Sequence, residues 1–399
     1  MKSKVPVTVL SGYLGSGKTT LLNHILRHNK NMKFAVIVND MSEVNIDADM
    51  VKRGGFKRTE ETLVELQNGC ICCTLREDLL IEVEKLAMMD VDYILIESTG
   101  ISEPIPVAQS FTYKDEESGI YLGAACRLDT MVTVVDAYRF WDDYQSGESL
   151  VDRKQGADDA DVREVIDLLI DQIEFADVIV LNKIDLVENE EQAKLRALLH
   201  QLNPEARIIV SEHAQVAADE ILNTASFDFE KASQSAGWIK ELNEEHIAES
   251  DEYNITSFVY RSKKPFHPQR FMTWLENWPE QVVRSKGFFW LATRNNTAGL
   301  LSQAGTSLTI QGAGSWVSAL PLSDQHKVLA EDPELLTRWD HQFGDRLTEL
   351  VFIGIDMEQQ RIESTLNQCL LTEEEMKSEW ELFHDPLPSF TTQESTEPS

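Results

Sequence analysis

Short apolar runs rich in Val and Ile recur along the first half of the chain, at residues 5–10, 34–38, 93–96, 131–135, 178–181 and 208–210. Runs this continuous belong to strands covered on both faces, as in a parallel sheet. Between them the spacing turns helical: Leu21, Leu22, Ile25 and Leu26 form one apolar stripe, and Val165, Leu168, Leu169 and Ile173 another. Strands alternating with helices over residues 1–225 predict a doubly wound α/β domain with a mainly parallel sheet. Residues 226–254 are polar and acidic with helical spacing and read as a connector. A second rhythm follows over 255–384, with strands predicted at 255–260, 288–292, 308–311 and 350–355 and helices at 267–278 and 359–369. It predicts a smaller α/β domain, rich in aromatics. Residues 385–399, mostly Pro, Ser, Thr and Glu, read as a disordered tail.

Composition narrows the function. The 399 residues include 68 acidic and 36 basic side chains, a formal charge of −32. That charge repels phosphate backbones and argues against nucleic acid as a partner. No stretch reaches the ~18 apolar residues of a membrane helix, and the N-terminus has too short an apolar run for a signal peptide. The expected location is the cytosol, without membrane attachment. Five cysteines are an odd count, and three stand within four residues, which points to metal or redox chemistry rather than a disulfide framework. An acidic stretch at 142–161 reads as a surface loop or insertion.

Gly12-Tyr13-Leu14-Gly15-Ser16-Gly17-Lys18-Thr19 matches the phosphate-binding pattern G-x-x-x-x-G-K-[ST], with a strand before it and an amphipathic helix after it. The expected fold of the first domain is therefore that of a P-loop NTPase. Its glycines let successive amides turn toward a di- or triphosphate at a helix N-terminus. Lys18 is expected to reach the β- and γ-phosphates, Thr19 to ligate Mg²⁺ and Thr20 to support the α-phosphate. Glu97 ends a buried strand as a Walker-B acid would, and Gly100 is placed to offer its N–H to the γ-phosphate. Asn182-Lys183-Ile184-Asp185 follows a late strand, where a carboxylate accepts hydrogen bonds from N1–H and the 2-amino group of guanine, favouring GTP over ATP. Ser211 with Ala214 is a second candidate contact to the base.

Cys70, Cys72 and Cys73 lie between the phosphate loop and the Walker-B strand, where P-loop GTPases keep segments that sense the third phosphate. Three close thiolates suit Zn²⁺, Cu⁺ or another thiophilic ion and are too few to close a tetrahedral site. Carboxylates at residues 39–47 are candidates to complete the shell, and Glu43 and Asp47 also to orient the hydrolytic water. Cys126 and Cys369 read as core residues, and His24 and His28, one turn apart, as surface or core residues rather than ligands.

In order, the phosphate loop, the segment ending Glu43-Val44-Asn45-Ile46-Asp47, the Cys-Ile-Cys-Cys cluster, Glu97-Ser98-Thr99-Gly100, Val134-Val135-Asp136-Ala137 and Asn182-Lys183-Ile184-Asp185 resemble the CobW family of P-loop GTPases, the metallochaperone class. Residues 287–291, 344–346 and 351–354 resemble that family's C-terminal module, so the likeness spans residues 4–372. It is nearest to a bacterial branch associated with zinc limitation. The resemblance implies a slow GTPase that binds zinc through its Cys-x-Cys-Cys thiols and delivers it to client metalloproteins. Other branches serve cobalt or iron enzymes, and a metal sink or sensor using nucleotide structurally is the rival from another class. A monomer or homodimer is expected. The His-rich tract of many relatives is missing here, which argues against metal storage.

Overall fold

Covering a sheet on both faces leaves strand residues no polar side to show, and the first half of the chain folds on that principle. The computed structural model describes residues 4–40, 62–67, 74–114, 119–150, 152–153, 164–243, 252–333 and 335–390. The chain divides into two units, Met1–Ile239 and Lys240–Ser399.

In the first unit β1 (Val5–Ser11), α1 (Lys18–His28), β2 (Phe34–Asp40), β3 (Thr62–Gln67), α2 (Thr74–Met88), β4 (Tyr93–Glu97), α3 (Pro104–Thr112), β5 (Cys126–Asp136), α4 (Phe140–Gln145), α5 (Val165–Glu174), β6 (Val178–Asn182), α6 (Asn189–Leu202) and β7 (Arg207–Ser211) follow one another. The strands make one parallel sheet in the order β3-β2-β4-β1-β5-β6-β7. Alternate residues of single strands go to opposite cores. Val7, Val9, Ile37, Ile94 and Ile96 pack with Leu80, Val83, Val107 and Phe111. Leu10, Val36, Val38, Leu95 and Val134 pack with Leu21, Leu22 and Ile25 of α1. The chain builds outward from β1 to one side first and only later to the other, so the carboxyl end of β1 stands at the switch point where such sheets bind ligands.

β3 escaped the sequence pattern. It is an edge strand, and Thr62-Leu-Val-Glu-Leu-Gln67 carries a carboxylate in its middle, so the continuous apolar run is broken. The start of the 226–254 stretch packs on α5 and the turn that follows it. Phe227 and Phe229 pack against Phe175 at ring distances of 6.4 and 6.3 Å, and Ser235 Oγ donates to the Glu174 carbonyl at 2.6 Å.

At the amino-terminal edge of the sheet, Asp177 accepts from the Met131 amide at 2.7 Å while burial pushes its carboxyl up to about 6. The native state thus keeps a proton that the unfolded chain has already released, so this group costs stability as pH rises from about 4 to 6 and at every pH above. Asp177→Asn is expected to stabilise the protein by about 1–3 kcal/mol at pH 7.5 and hardly at all near pH 4. Denaturant titrations of both proteins at both pH values check this, and an equal difference at the two would refute it.

The second unit holds β8 (Ile255–Ser262), a helix at Pro268–Leu275, β9 (Val282–Phe289), β10 (Thr297–Ala304), β11 (Ser307–Ser315), β12 (Thr348–Ile355) and a helix at Gln359–Cys369. Its sheet is antiparallel, in the order β11-β10-β9-β12-β8. The two helices bury Phe271, Trp274, Ile362 and Leu366 on Phe258, Tyr260, Phe289, Leu350 and Phe352. β9 starts six residues before the expected position and β10 was not expected, because Arg284, Ser285, Lys286, Gly299, Ser302 and Gln303 interrupt their apolar pattern. Residues 385–390 are held to the second unit by specific contacts. Asp385 accepts from Thr293 and Arg294, Leu387 is buried, and the Arg294 guanidinium stands 4.2 Å over the Phe390 ring.

Candidate functional site

A loop that wraps phosphate must turn its amides inward, in backbone conformations closed to most side chains. Between β1 and α1, Gly12, Gly15 and Gly17 have φ of 131°, 80° and 115°. Space makes the same demand: a Cβ on Gly12 would lie 2.3 Å from the Val134 carbonyl oxygen, and one on Gly17 2.4 Å from Asn182 Nδ2. α1 begins at once, so its N-terminus and the partial positive charge there lie at the loop. The Lys18 ammonium is 5% exposed and donates to the carbonyls of Gly12 at 2.8 Å and Tyr13 at 3.4 Å, so the charge is folded against the loop it serves. Thr20, next along, is exposed.

Thr19 Oγ1 donates to Glu97 Oε1 at 2.6 Å, and Glu97 is fully buried at the end of β4. A hydroxyl and a carboxylate meeting under a phosphate cradle are the hard oxygen donors that Mg²⁺ takes. Past β4 the chain turns directly beneath the loop, where a Cβ on Gly100 would come within 2.7 Å of the Leu14 nitrogen. Ser16 Oγ and Thr99 Oγ1 are buried here without a hydrogen-bond partner.

On the other flank the N-K-x-D residues divide their labour. Asn182 donates from Nδ2 to the Ser16 carbonyl at 2.9 Å and accepts at Oδ1 from the Ala214 amide at 2.8 Å. Lys183 donates to the Gly15 carbonyl at 2.8 Å and to Asp136 Oδ2 at 2.6 Å. Both residues brace the phosphate loop. Asp185, the acid of the motif, is exposed. Ser211 Oγ and the Ala214 amide both donate to Asn182 Oδ1 and so hold the bracing residue.

A third brace was not legible in the sequence. Arg153 donates to Tyr13 OH at 3.2 Å, to Asp143 at 2.7 Å and to Glu148 at 2.7 Å, and its guanidinium lies 5.6 Å from the centre of the Tyr13 ring. Asp143 also takes Arg139 at 3.2 Å, and Arg139 lies beside Gly15. Both ends of the segment 139–153 thus reach the loop. No motif marks an arginine 140 residues from its tyrosine.

Cys70, Cys72, Cys73, Glu43 and Asp47 lie outside the described residues. The elements that flank them end at the same edge as Glu97: the register pairs Val38 with Glu97, and Asp40 with Gln67. Cys126 and Cys369 are core residues, as expected, and burial pushes their thiols up to about 12 and about 11. His24 and His28 have ring centres 4.3 Å apart, and His28 Nδ1 donates to the His24 carbonyl at 2.8 Å. Among the described residues no three His, Cys, Asp or Glu side chains are grouped to hold a metal, and no helix is long and apolar enough to cross a membrane.

Comparison with known proteins agrees with this geometry. The CobW/HypB/UreG nucleotide-binding domain matches residues 6–210, and the cobalamin synthesis protein CobW C-terminal domain matches residues 255–370. Zinc-regulated GTPase metalloprotein activator 1 of Dictyostelium discoideum is 48% identical over 96% of this chain and 84% of its own length. Zinc chaperone YjiA of Escherichia coli is 27% identical over 90% of this chain and 96% of its own. The crystal structure of Zn(II)-bound YjiA GTPase from E. coli aligns with 92% of this chain and 100% of its own at 20% identity and a TM-score of 0.39. The chain is therefore a P-loop GTPase that belongs to the CobW/HypB/UreG family, with that family's nucleotide-binding domain followed by its CobW C-terminal domain.

Proposed function

We propose that this GTPase is a metallochaperone: it binds zinc through Cys70, Cys72 and Cys73 and passes it to client metalloproteins under control of the bound nucleotide. The observation that carries the reading is the joining of Thr19 to Glu97 beneath the phosphate loop, at the edge where the flanks of the thiol segment also end. Lys18 would meet the β- and γ-phosphates, Thr19 and Glu97 would hold Mg²⁺, and the Gly100 amide would meet the γ-phosphate. Mg²⁺ held by Thr19 and Glu97 would neutralise charge as the γ-phosphoryl group passes to water and GDP leaves. Glu43 and Asp47 are the candidates for orienting the attacking water. The name of the Dictyostelium relative, a zinc-regulated GTPase metalloprotein activator, supports zinc as the cargo and a protein as its recipient.

With the third phosphate in place, the segment from β2 to α2 is held and the thiolates grip their ion. Hydrolysis releases the segment, and the ion with it. The test is competition affinity for Zn²⁺ in the nucleotide-free, GDP-bound and GTP-analogue-bound forms, for the wild type and a triple Cys→Ala variant. At least a tenfold tightening by the GTP analogue, absent from the variant, is expected. Equal affinity in the three forms would remove the coupling and leave a nucleotide hydrolase.

A further inference from the structure

Folded chains seldom leave a buried hydroxyl without a partner, since doing so forfeits hydrogen bonds to water with nothing in return. Thr99 does so. It is 5% exposed, its Oγ1 has no hydrogen-bond partner, and it stands between Glu97 and Gly100, the acid that meets Thr19 and the glycine pressed on Leu14. Its neighbours are differently placed. Ser98 Oγ donates to the Leu10 carbonyl at 3.1 Å and pairs with Ser11 Oγ at 3.2 Å. Ser102 donates its amide and hydroxyl to the Thr99 carbonyl, at 3.2 and 3.0 Å, which pins the backbone on the far side of this residue. The turn is thus fixed by Ser98, Gly100 and Ser102, and the Thr99 hydroxyl takes no part in fixing it. Valine would fill the same space without the unpaired group.

We propose that the Thr99 hydroxyl is a ligand for the third phosphate: it donates a hydrogen bond to a γ-phosphate oxygen of bound GTP and makes no contact with GDP. Ser16 Oγ, the second unpaired hydroxyl of the same site, belongs to the loop itself and serves either nucleotide. Thr99 lies two residues past the strand end that carries Glu97. A contact made only with the triphosphate lets this turn distinguish the two states without a change in the loop. The inference rests on the proposed placement of GTP in this cradle.

Thr99→Val separates this role from a structural one, because it keeps the shape and deletes the hydroxyl. The expected result is an unchanged or raised thermal midpoint, GDP affinity within twofold of wild type, affinity for a non-hydrolysable GTP analogue down about tenfold, and GTP turnover down at least as much. Thr99→Ser should restore both GTP readouts. If Thr99→Val binds the analogue and turns over GTP as the wild type does, or weakens GDP and the analogue equally, the assignment of Thr99 is wrong. If the wild type itself binds neither nucleotide, the placement of GTP is wrong and Thr99 loses its role with it.

Discussion

Lys18→Ala is expected to lower GTP turnover by about 10²–10³-fold and to abolish any dependence of zinc affinity on nucleotide. The ammonium is buried against the Gly12 and Tyr13 carbonyls, so its charge sits in a site poor in water, where each Coulomb interaction is worth more than at the surface. The whole chain carries −32, so an incoming triphosphate is repelled everywhere except where positive charge is gathered. Lys18 supplies that charge at the loop, whereas Lys183, Arg139 and Arg153 beside it are ion-paired with Asp136, Asp143 and Glu148. Removing Lys18 takes away the cation nearest the developing charge, while the glycine conformations and the Asn182 brace persist. The variant should stay folded, with a thermal midpoint near that of the wild type. If the proposed function holds, cells carrying the same substitution should grow less well than wild-type cells under zinc limitation. A variant that hydrolyses GTP normally would refute the assignment of the cradle. One that loses turnover but still supports growth under zinc limitation would favour the metal sink, with nucleotide as a structural ligand.

What the sequence disclosed about this site follows from how local each interaction is. The phosphate loop needs three glycines at fixed offsets, and the backbone turns that demand them fall within eight residues, so the pattern is visible in the chain itself. β1, β4 and β6 are visible for a related reason: strands covered on both faces leave an unbroken apolar run. β3 has one neighbour and β10 carries Gly299, Ser302 and Gln303, so neither needed or kept such a run. The bracing network is long-range. Arg153 with Tyr13, Asn182 with Ser16 and Lys183 with Asp136 join residues whose separation carries no periodic signal. For Asn182 and Lys183 the motif pointed to the right place, and the geometry adds contacts that hold the loop. Asp185 is exposed, while Asn182 and Lys183 hold the loop.

That division makes base selection testable through Asp185 alone. Guanine presents N1–H and a 2-amino group as adjacent donors, which one carboxylate accepts together; adenine presents an acceptor at N1 and no 2-amino group, so it cannot use that site. Asp185→Asn replaces one acceptor by a donor. Xanthine carries a carbonyl where guanine carries the amine, so the variant should lose about 10²-fold or more in GTP affinity and gain a comparable preference for XTP. Because Asn182 and Lys183 keep the phosphate loop in place, kcat with saturating XTP should approach that of the wild type with GTP. A loss in kcat as well would mean that Asp185 also supports the loop. Direct competition among GTP, XTP and ATP on the two proteins decides the matter. If the order of preference does not change, the base is read elsewhere, and a P-loop kinase or ATPase becomes the better account of this domain.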